Sequence, residues 1–324
     1  MLSRVADSVF ISRHIERAEN VARFLDVNSS LTMGDGSSLQ DQWSPLVFTT
    51  GDQSFFDEKY GVANRSNVIQ FLAFDQEYDN SIISCVSRAR ENARTVREVF
   101  PVAIWEQLNK FYLMVVAAEK EKDSLTELSE FCDRIKLASS TIIGLIYSTM
   151  SHGEPWHFAR MGRLLERADK TSRIVDVQYF LLLPRPQDIG STLDVVRWSA
   201  LLRSASALEM YRREHGRIMP SRVAEFLLLS RDFPRSAHHC LIAIQDSLLR
   251  ITGTERGTFQ LRSEQLIGRL RSEFDYTSIN DIISKGMHQF IDHLQTQLNE
   301  IGAAVHDDFF TNPQARTASQ QQSQ

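Results

Sequence analysis

HIERAENVARFLDV (His14–Val27) returns 150 residues later as LLERADKTSRIVDV (Leu164–Val177). At the centre of each copy stands Glu-Arg-Ala-acidic: Glu16, Arg17, Ala18 and Glu19, then Glu166, Arg167, Ala168 and Asp169. Composition alone does not produce the same charged cluster twice inside an apolar helical pattern. Further landmarks follow in the same order, as duplication requires. Trp43-Ser44-Pro45-Leu46-Val47 resembles Trp198-Ser199-Ala200-Leu201-Leu202, at an offset of 155 residues. At that offset Tyr60-Gly61 aligns with His215-Gly216, Ser66–Leu72 with Ser221–Leu227, Ser81 with Ser236 and Cys85 with Cys240. The expected fold is all-α: a large multi-helix bundle built from an internal duplication, with pseudo-twofold related halves at about 1–150 and 151–310.

Apolar residues recur at three- and four-residue spacings and strict alternation is almost absent, which marks helices rather than strands. The pattern predicts long helices at about 3–29, 80–99, 101–121, 124–150, 155–182, 191–215, 234–252, 257–273 and 277–309, and short ones at about 38–49, 52–60, 66–74 and 221–230. Pro101 and Pro155 suit first helical turns, and Gly61, Gly153 and Gly216 suit helix ends. The tail from Thr311, ending ASQQQSQ, has too little apolar content to order itself.

Bulk properties narrow the function. The 324 residues carry a formal net charge of −5 with the two signs interspersed, so no basic stripe invites nucleic acid. The opening lacks a signal-peptide pattern, and apolar runs such as Leu113–Ala118 are far too short to span a membrane. Three scattered cysteines make no disulfide framework, and a cytoplasmic location is expected.

On a helical wheel, at about 100° per residue, Arg13, Glu16, Arg17 and Asn20 share one arc, opposite an apolar face of Ile11, Ile15, Ala18, Ala22 and Leu25. Arg163, Glu166, Arg167 and Lys170 cluster in the same way. Glu and Arg are rarely buried unless paired. Neighbouring residues point about 100° apart, so the partner of Glu16 is sought at Arg13 or on another helix rather than at Arg17. Ser87–Phe100 offers cations, with Arg90, Glu91, Asn92 and Arg94 as candidates. That segment reads either as a wet surface helix or as a member of a partly buried ionic network with Glu16 and Glu166. Phe233-Pro234-Arg235-Ser236 also has two readings. One is an anion site at a helix start; the other is a capped start whose Arg235 reaches an acidic residue in the core.

Recognisable catalytic sets are missing. Glu154-x-x-His157 has di-metal spacing but no second copy, and Arg4–Asp7 occupies the matching place. His238, His239 and Cys240 are consecutive on a helix and fan apart. GTERGT (Gly253–Thr258) lacks the Gly-Lys-Ser/Thr of a phosphate loop. Neither a metal nor any other cofactor is expected.

The opening LSRVADSVFISRHIERAENVARFLDVN resembles the start of the alpha-E family of bacterial helical proteins. So do FLAFDQ (Phe71–Gln76), Ala89–Glu98, Trp105-Glu106 with Asn109, GRLLERADKTSRIVD (Gly162–Asp176) and FPRSAHHCL (Phe233–Leu241), so that the resemblance covers about residues 1–310. The family usually has Trp-Met-Gly-Arg before its first Glu-Arg motif. Here Ile11-Ser12-Arg13 stands instead, keeping the arginine and implying looser packing before it. The resemblance implies a circularly permuted ATP-grasp protein as partner, a transglutaminase-like protein as a second, and a peptide-ligating or peptide-modifying system. It transfers no catalytic residue. Two expectations follow: an accessory binding protein of that system, or an enzyme acting on an anionic peptide or acyl group. In the enzyme Glu16 or Glu166 is the general base and the arginines hold carboxylates.

Overall fold

Segments whose apolar residues fall on one stripe bury it by packing helix on helix. In a computed structural model that describes residues 2–32, 39–120, 128–181 and 192–311, this chain does so throughout. Fifteen α-helices and no strand occur among the described residues. The first half runs α1 (Leu2–Thr32), α2 (Leu39–Thr50), α3 (Gln53–Tyr60), α4 (Arg65–Ile69), α5 (Ile82–Thr95), α6 (Val102–Lys120) and α7 (Leu128–Thr149). The second runs α8 (Glu154–Leu181), α9 (Thr192–Ser204), α10 (Leu208–His215), α11 (Pro220–Leu229), α12 (Ala237–Thr252), α13 (Arg262–Asp275), α14 (Ile279–Lys285) and α15 (Met287–His306). Wider π-helical turns cover Gln70–Phe74 and Asp307–Thr311. The Leu183–Pro186 connector and the tail after Thr311 lie outside the described residues.

Two hydrophobic cores form, one drawn from residues 11–156 and the other from residues 158–309. In the first, Ile11, Ile15, Ala18, Ala22 and Leu25 of α1 meet Trp43, Phe56, Phe71, Phe111 and Phe131. In the second, Phe158, Met161, Leu165, Ala168 and Val175 of α8 meet Trp198, Tyr211, Phe226, Ile291 and Phe309. Each fully buried large side chain contributes about 1.5–3 kcal/mol. Phe24 touches both cores. Helices α1 and α8 make the most extensive helix–helix contact in the molecule. Their second faces therefore meet along the seam between the cores, where the charged clusters lie.

Local details recur at the sequence offset of 155. The eight-residue α3 ends at Gly61 with φ +67°, and the eight-residue α10 ends at Gly216 with φ +69°. Ser81 caps α5 by accepting from Ser84 N, and Ser236 caps α12 by accepting from His239 N. Both buried thiols, Cys85 and Cys240, donate to a carbonyl six residues earlier.

Two predicted helices are each broken in two. Region 191–215 divides at Ser206, a non-glycine residue at φ +51°, and region 277–309 divides at Gly286, at φ +103°. Apolar spacing persists across both breaks, because the helices on either side bury into the same core, so periodicity alone hides them. Gly153 lies just before α8 rather than ending a helix.

Candidate functional site

Each motif glutamate takes the other motif's arginine. Arg167 donates from Nε to Glu16 Oε1 at 2.9 Å and from Nη2 to Oε2 at 2.7 Å. Arg17 donates from Nε to Glu166 Oε1 at 2.6 Å and from Nη2 to Oε2 at 2.7 Å. Adjacent side chains diverge by about 100°, so each arginine is free to reach across the α1–α8 seam instead of pairing within its own motif. Both forks are bidentate. Glu16 is 0% exposed and Glu166 1%. Burial by itself would raise the Glu16 pKa, but Arg167 and then Arg235 bring it down to about 2. Burial likewise opposes ionisation of Glu166, yet Arg17, Lys170 and Arg13 hold it below the usual carboxylate range. In turn the glutamates hold Arg17 and Arg167 above the ordinary guanidinium range against the effect of burial.

The two ends of the seam differ. At the Glu16 end, Arg235 donates from Nη1 to Glu16 Oε1 at 3.1 Å and to Asn20 Oδ1 at 3.2 Å, and from Nη2 to Glu19. Arg23 grips Glu19 at 2.7 Å, and Ser139 of α7 donates to the same carboxylate. Arg235 thus reaches core carboxylates. Ser236 is spent on the cap and on a bond to the Ser230 carbonyl, so this helix start has no donor left for an anion from its side chain. Arg163 lies behind this end. Burial, then Arg167, lowers its pKa to about 10, and its Nε is buried without an acceptor among the described residues.

At the Glu166 end stands Asn80, which precedes Ser81 as Arg235 precedes Ser236. Its side-chain oxygen accepts from Arg17 Nη1, and its short side chain does not close the seam as Arg235 does. A cleft of about 440 Å³ opens there, lined by residues of α1, α2, α8 and α15 and by Asp52 and Asn80. Glu166, Asp169, Lys170 and Arg173 follow at i, i+3, i+4 and i+7 along its wall, a rise of about 10 Å. Arg13 donates from Nε to Glu166 at 3.4 Å, and Lys170 Nζ lies 3.7 Å from Glu166 and 3.2 Å from Asp169. Arg173 donates from Nε to Asp169 Oδ2 at 2.9 Å. The Nη groups of Arg13 and Arg173 have no hydrogen-bond acceptor among the described residues. Such guanidinium forks suit a carboxylate or phosphate.

Not every candidate joins the seam. On α5 the inward face is Cys85, Val86, Ala89 and Ala93, so its cations point elsewhere. Arg90 donates to Asn109 at 2.9 Å and lies 4.7 Å from the centre of the Tyr112 ring. Glu91 pairs with Arg90 and Arg94, and the Asn92 carbonyl accepts from Thr95. The hydrogen-bonded network of Glu16 and Glu166 reaches Asn80, just ahead of α5, rather than the arginines of Ser87–Phe100. Ile11 and Ser12 are buried, so the departure before the first motif leaves no looseness there. Among the described residues no three His, Cys, Asp or Glu side chains gather as metal ligands, and His238 and His239 bond in different directions, to Leu229 O and Arg231 O.

Sequence reasoning missed Asp52, Asn299 and His306 as lining residues, because they arrive from elements remote in the chain. Asn80 carries no signal beyond its place just before the capping Ser81. Lys170 and Asp169 were visible beside the second motif; Arg173 was missed, although its i+4 spacing from Asp169 was a signal that could have found it. No helix among the described residues is long and apolar enough to cross a membrane.

Comparison with curated proteins and with solved structures returned no match. The family model of Alpha-E, described as a predicted alpha-helical domain with a conserved ER motif, matches residues 1–310. That match spans both Glu-Arg pairs, α1 through α15 and the cleft between them, and the chain belongs to the Alpha-E family.

Proposed function

We propose that this protein is a helical accessory and binding component of an ATP-grasp-associated peptide ligation or modification system, and that it receives an anionic group in the cleft beside Glu166. One observation carries the binding part: the cleft of about 440 Å³ has Arg13 and Arg173 on its wall with uncommitted guanidinium nitrogens. The partners, a circularly permuted ATP-grasp protein and a transglutaminase-like protein, rest on the family resemblance. We also read residues 1–150 and 151–310 as copies of one ancestral unit related by a pseudo-twofold axis. The exchanged Glu16–Arg167 and Glu166–Arg17 pairs support this, as do the matching caps at Ser81 and Ser236 and the matching helix ends at Gly61 and Gly216. A cytoplasmic location agrees with three free, buried cysteines.

The enzymatic alternative draws support from the cleft reaching Glu166, but neither motif glutamate makes a suitable base. A general base works best with a pKa near the operating pH. Glu16 stays near 2 and Glu166 is held low, each with both oxygens engaged by arginine. Calorimetric titration with the circularly permuted ATP-grasp protein of the same genome, with and without ATP, tests the accessory role. Saturable association at micromolar concentration is expected. Its absence under both conditions contradicts the reading.

A further inference from the structure

The cleft contains acceptors without donors as well as donors without acceptors. Asp52 accepts from Tyr78 Oη at 2.7 Å and Asn80 Nδ2 at 3.2 Å, both on one oxygen; Arg173 attracts it from nearby, but no cation among the described residues makes a direct ion pair with it. Asp169 Oδ1, on the same wall, is buried with no hydrogen-bond partner among the described residues. A dianion filling the cleft would satisfy Arg13 and Arg173 but would meet the carboxylate of Asp52, one of whose oxygens has no hydrogen-bond donor among the described residues. A ligand with a positive end relieves both deficits.

Arg13 and Asp52 lie toward different ends, with Arg173 beside Asp52. Arg13 bonds Glu166 and its Nη1 lies against Gly302 of α15, whereas Arg173 Nη1 lies against Gly51, next to Asp52. Along α8 the span from Glu166 to Arg173 is about 10 Å. An extended chain covers about 3.3–3.6 Å per residue, so about three residues fit that length.

We infer that the cleft takes a short peptide in zwitterionic form, its C-terminal carboxylate on Arg13, its terminal ammonium on Asp52 and its peptide carbonyls toward Arg173. This rests on the anion-binding reading of the same cleft and narrows it to a ligand class with a free amino end. The occupant differs from what closes the Glu16 end, where Arg235 is supplied by the chain itself.

Triglycine, N-acetyl-triglycine, triglycinamide and inorganic phosphate, each titrated into the full chain by calorimetry and by amide NMR shifts, test the inference. Triglycine is expected to bind, and acetylation or amidation is expected to weaken it at least about tenfold, the scale of one charge-assisted hydrogen bond. Asp52→Asn should erase the preference over the acetylated peptide, and Arg13→Gln the preference over the amide. Asp52 makes no side-chain cap bond to α3, so that variant keeps the helix start intact. Binding of N-acetyl-triglycine as tightly as triglycine, or binding of phosphate alone, overturns the zwitterion and leaves the anion cleft standing. Binding of none of the four overturns both.

Discussion

Replacing Glu16 by Gln keeps shape and removes one charge, which isolates the work done by the carboxylate. In the native seam that charge faces Arg167 at 2.7 Å and Arg235 at 3.1 Å from a fully buried position. Loss of one partner of a buried pair costs about 3–5 kcal/mol, because the other charge is left uncompensated. The titration behaviour gives a similar size: a carboxyl lowered from 4.5 to about 2 on folding contributes about 3 kcal/mol at neutral pH. Distance alone does not set this value. Lys59 Nζ also lies 2.7 Å from Glu77, but Glu77 is 79% exposed, and Glu77→Gln should change stability by less than about 1 kcal/mol. The sign with pH follows from the depressed folded-state value. The contribution of Glu16 is present above about pH 4.5 and is lost as pH falls toward 2, and Glu166 acts in the same direction. Urea unfolding followed by circular dichroism and tryptophan fluorescence checks both variants. E16Q should lose about 3 kcal/mol at pH 7 and converge on the parent only below about pH 2. A loss under about 1 kcal/mol at pH 7, matching E77Q, would falsify the claim that burial makes the motif pair strong.

Cys85 and Cys240 are fully buried and their pKa values are pushed up to about 12 by burial, so neither should react with a thiol reagent at pH 8 until urea opens the fold; rapid labelling of native protein would show the cores are loosely closed. Gly286→Ala should destabilise by about 1 kcal/mol or more at φ +103°, whereas Gly144→Ala, in mid-helix with open space at its Cβ, should stabilise by about 0.5–1 kcal/mol. Equal thermal shifts for the two would contradict the left-handed break between α14 and α15.

Helix positions were legible because periodicity is local: predicted 52–60 and 221–230 became Gln53–Tyr60 and Pro220–Leu229. The exchanged pairing was half legible. The wheel placed Glu16 and Arg17 in one arc and turned the search for a partner to Arg13 or another helix; the partner is Arg167 on another helix, and Arg13 turns to Glu166. The density of arginines on Ser87–Phe100 pointed toward the seam, yet the small apolar residues of α5 face inward and the arginines meet Asn109, Trp105 and Tyr112. The cleft was not legible at all. It arises where Asn80 stands in the place that Arg235 fills at the other end, a contrast that has meaning only once both are seen against their glutamates.

With both oxygens held by arginine, the motif glutamates serve as ionised structural partners rather than proton carriers. Carbon-13 NMR of the side-chain carboxyls, assigned by comparison with E16Q and E166Q, measures this directly through a pH titration. Both resonances are predicted to remain those of carboxylates from pH 8 down to pH 4, with protonation only near the acid limit of the fold. A midpoint between about pH 5 and 7 for either group, the range of a working general base, would contradict it.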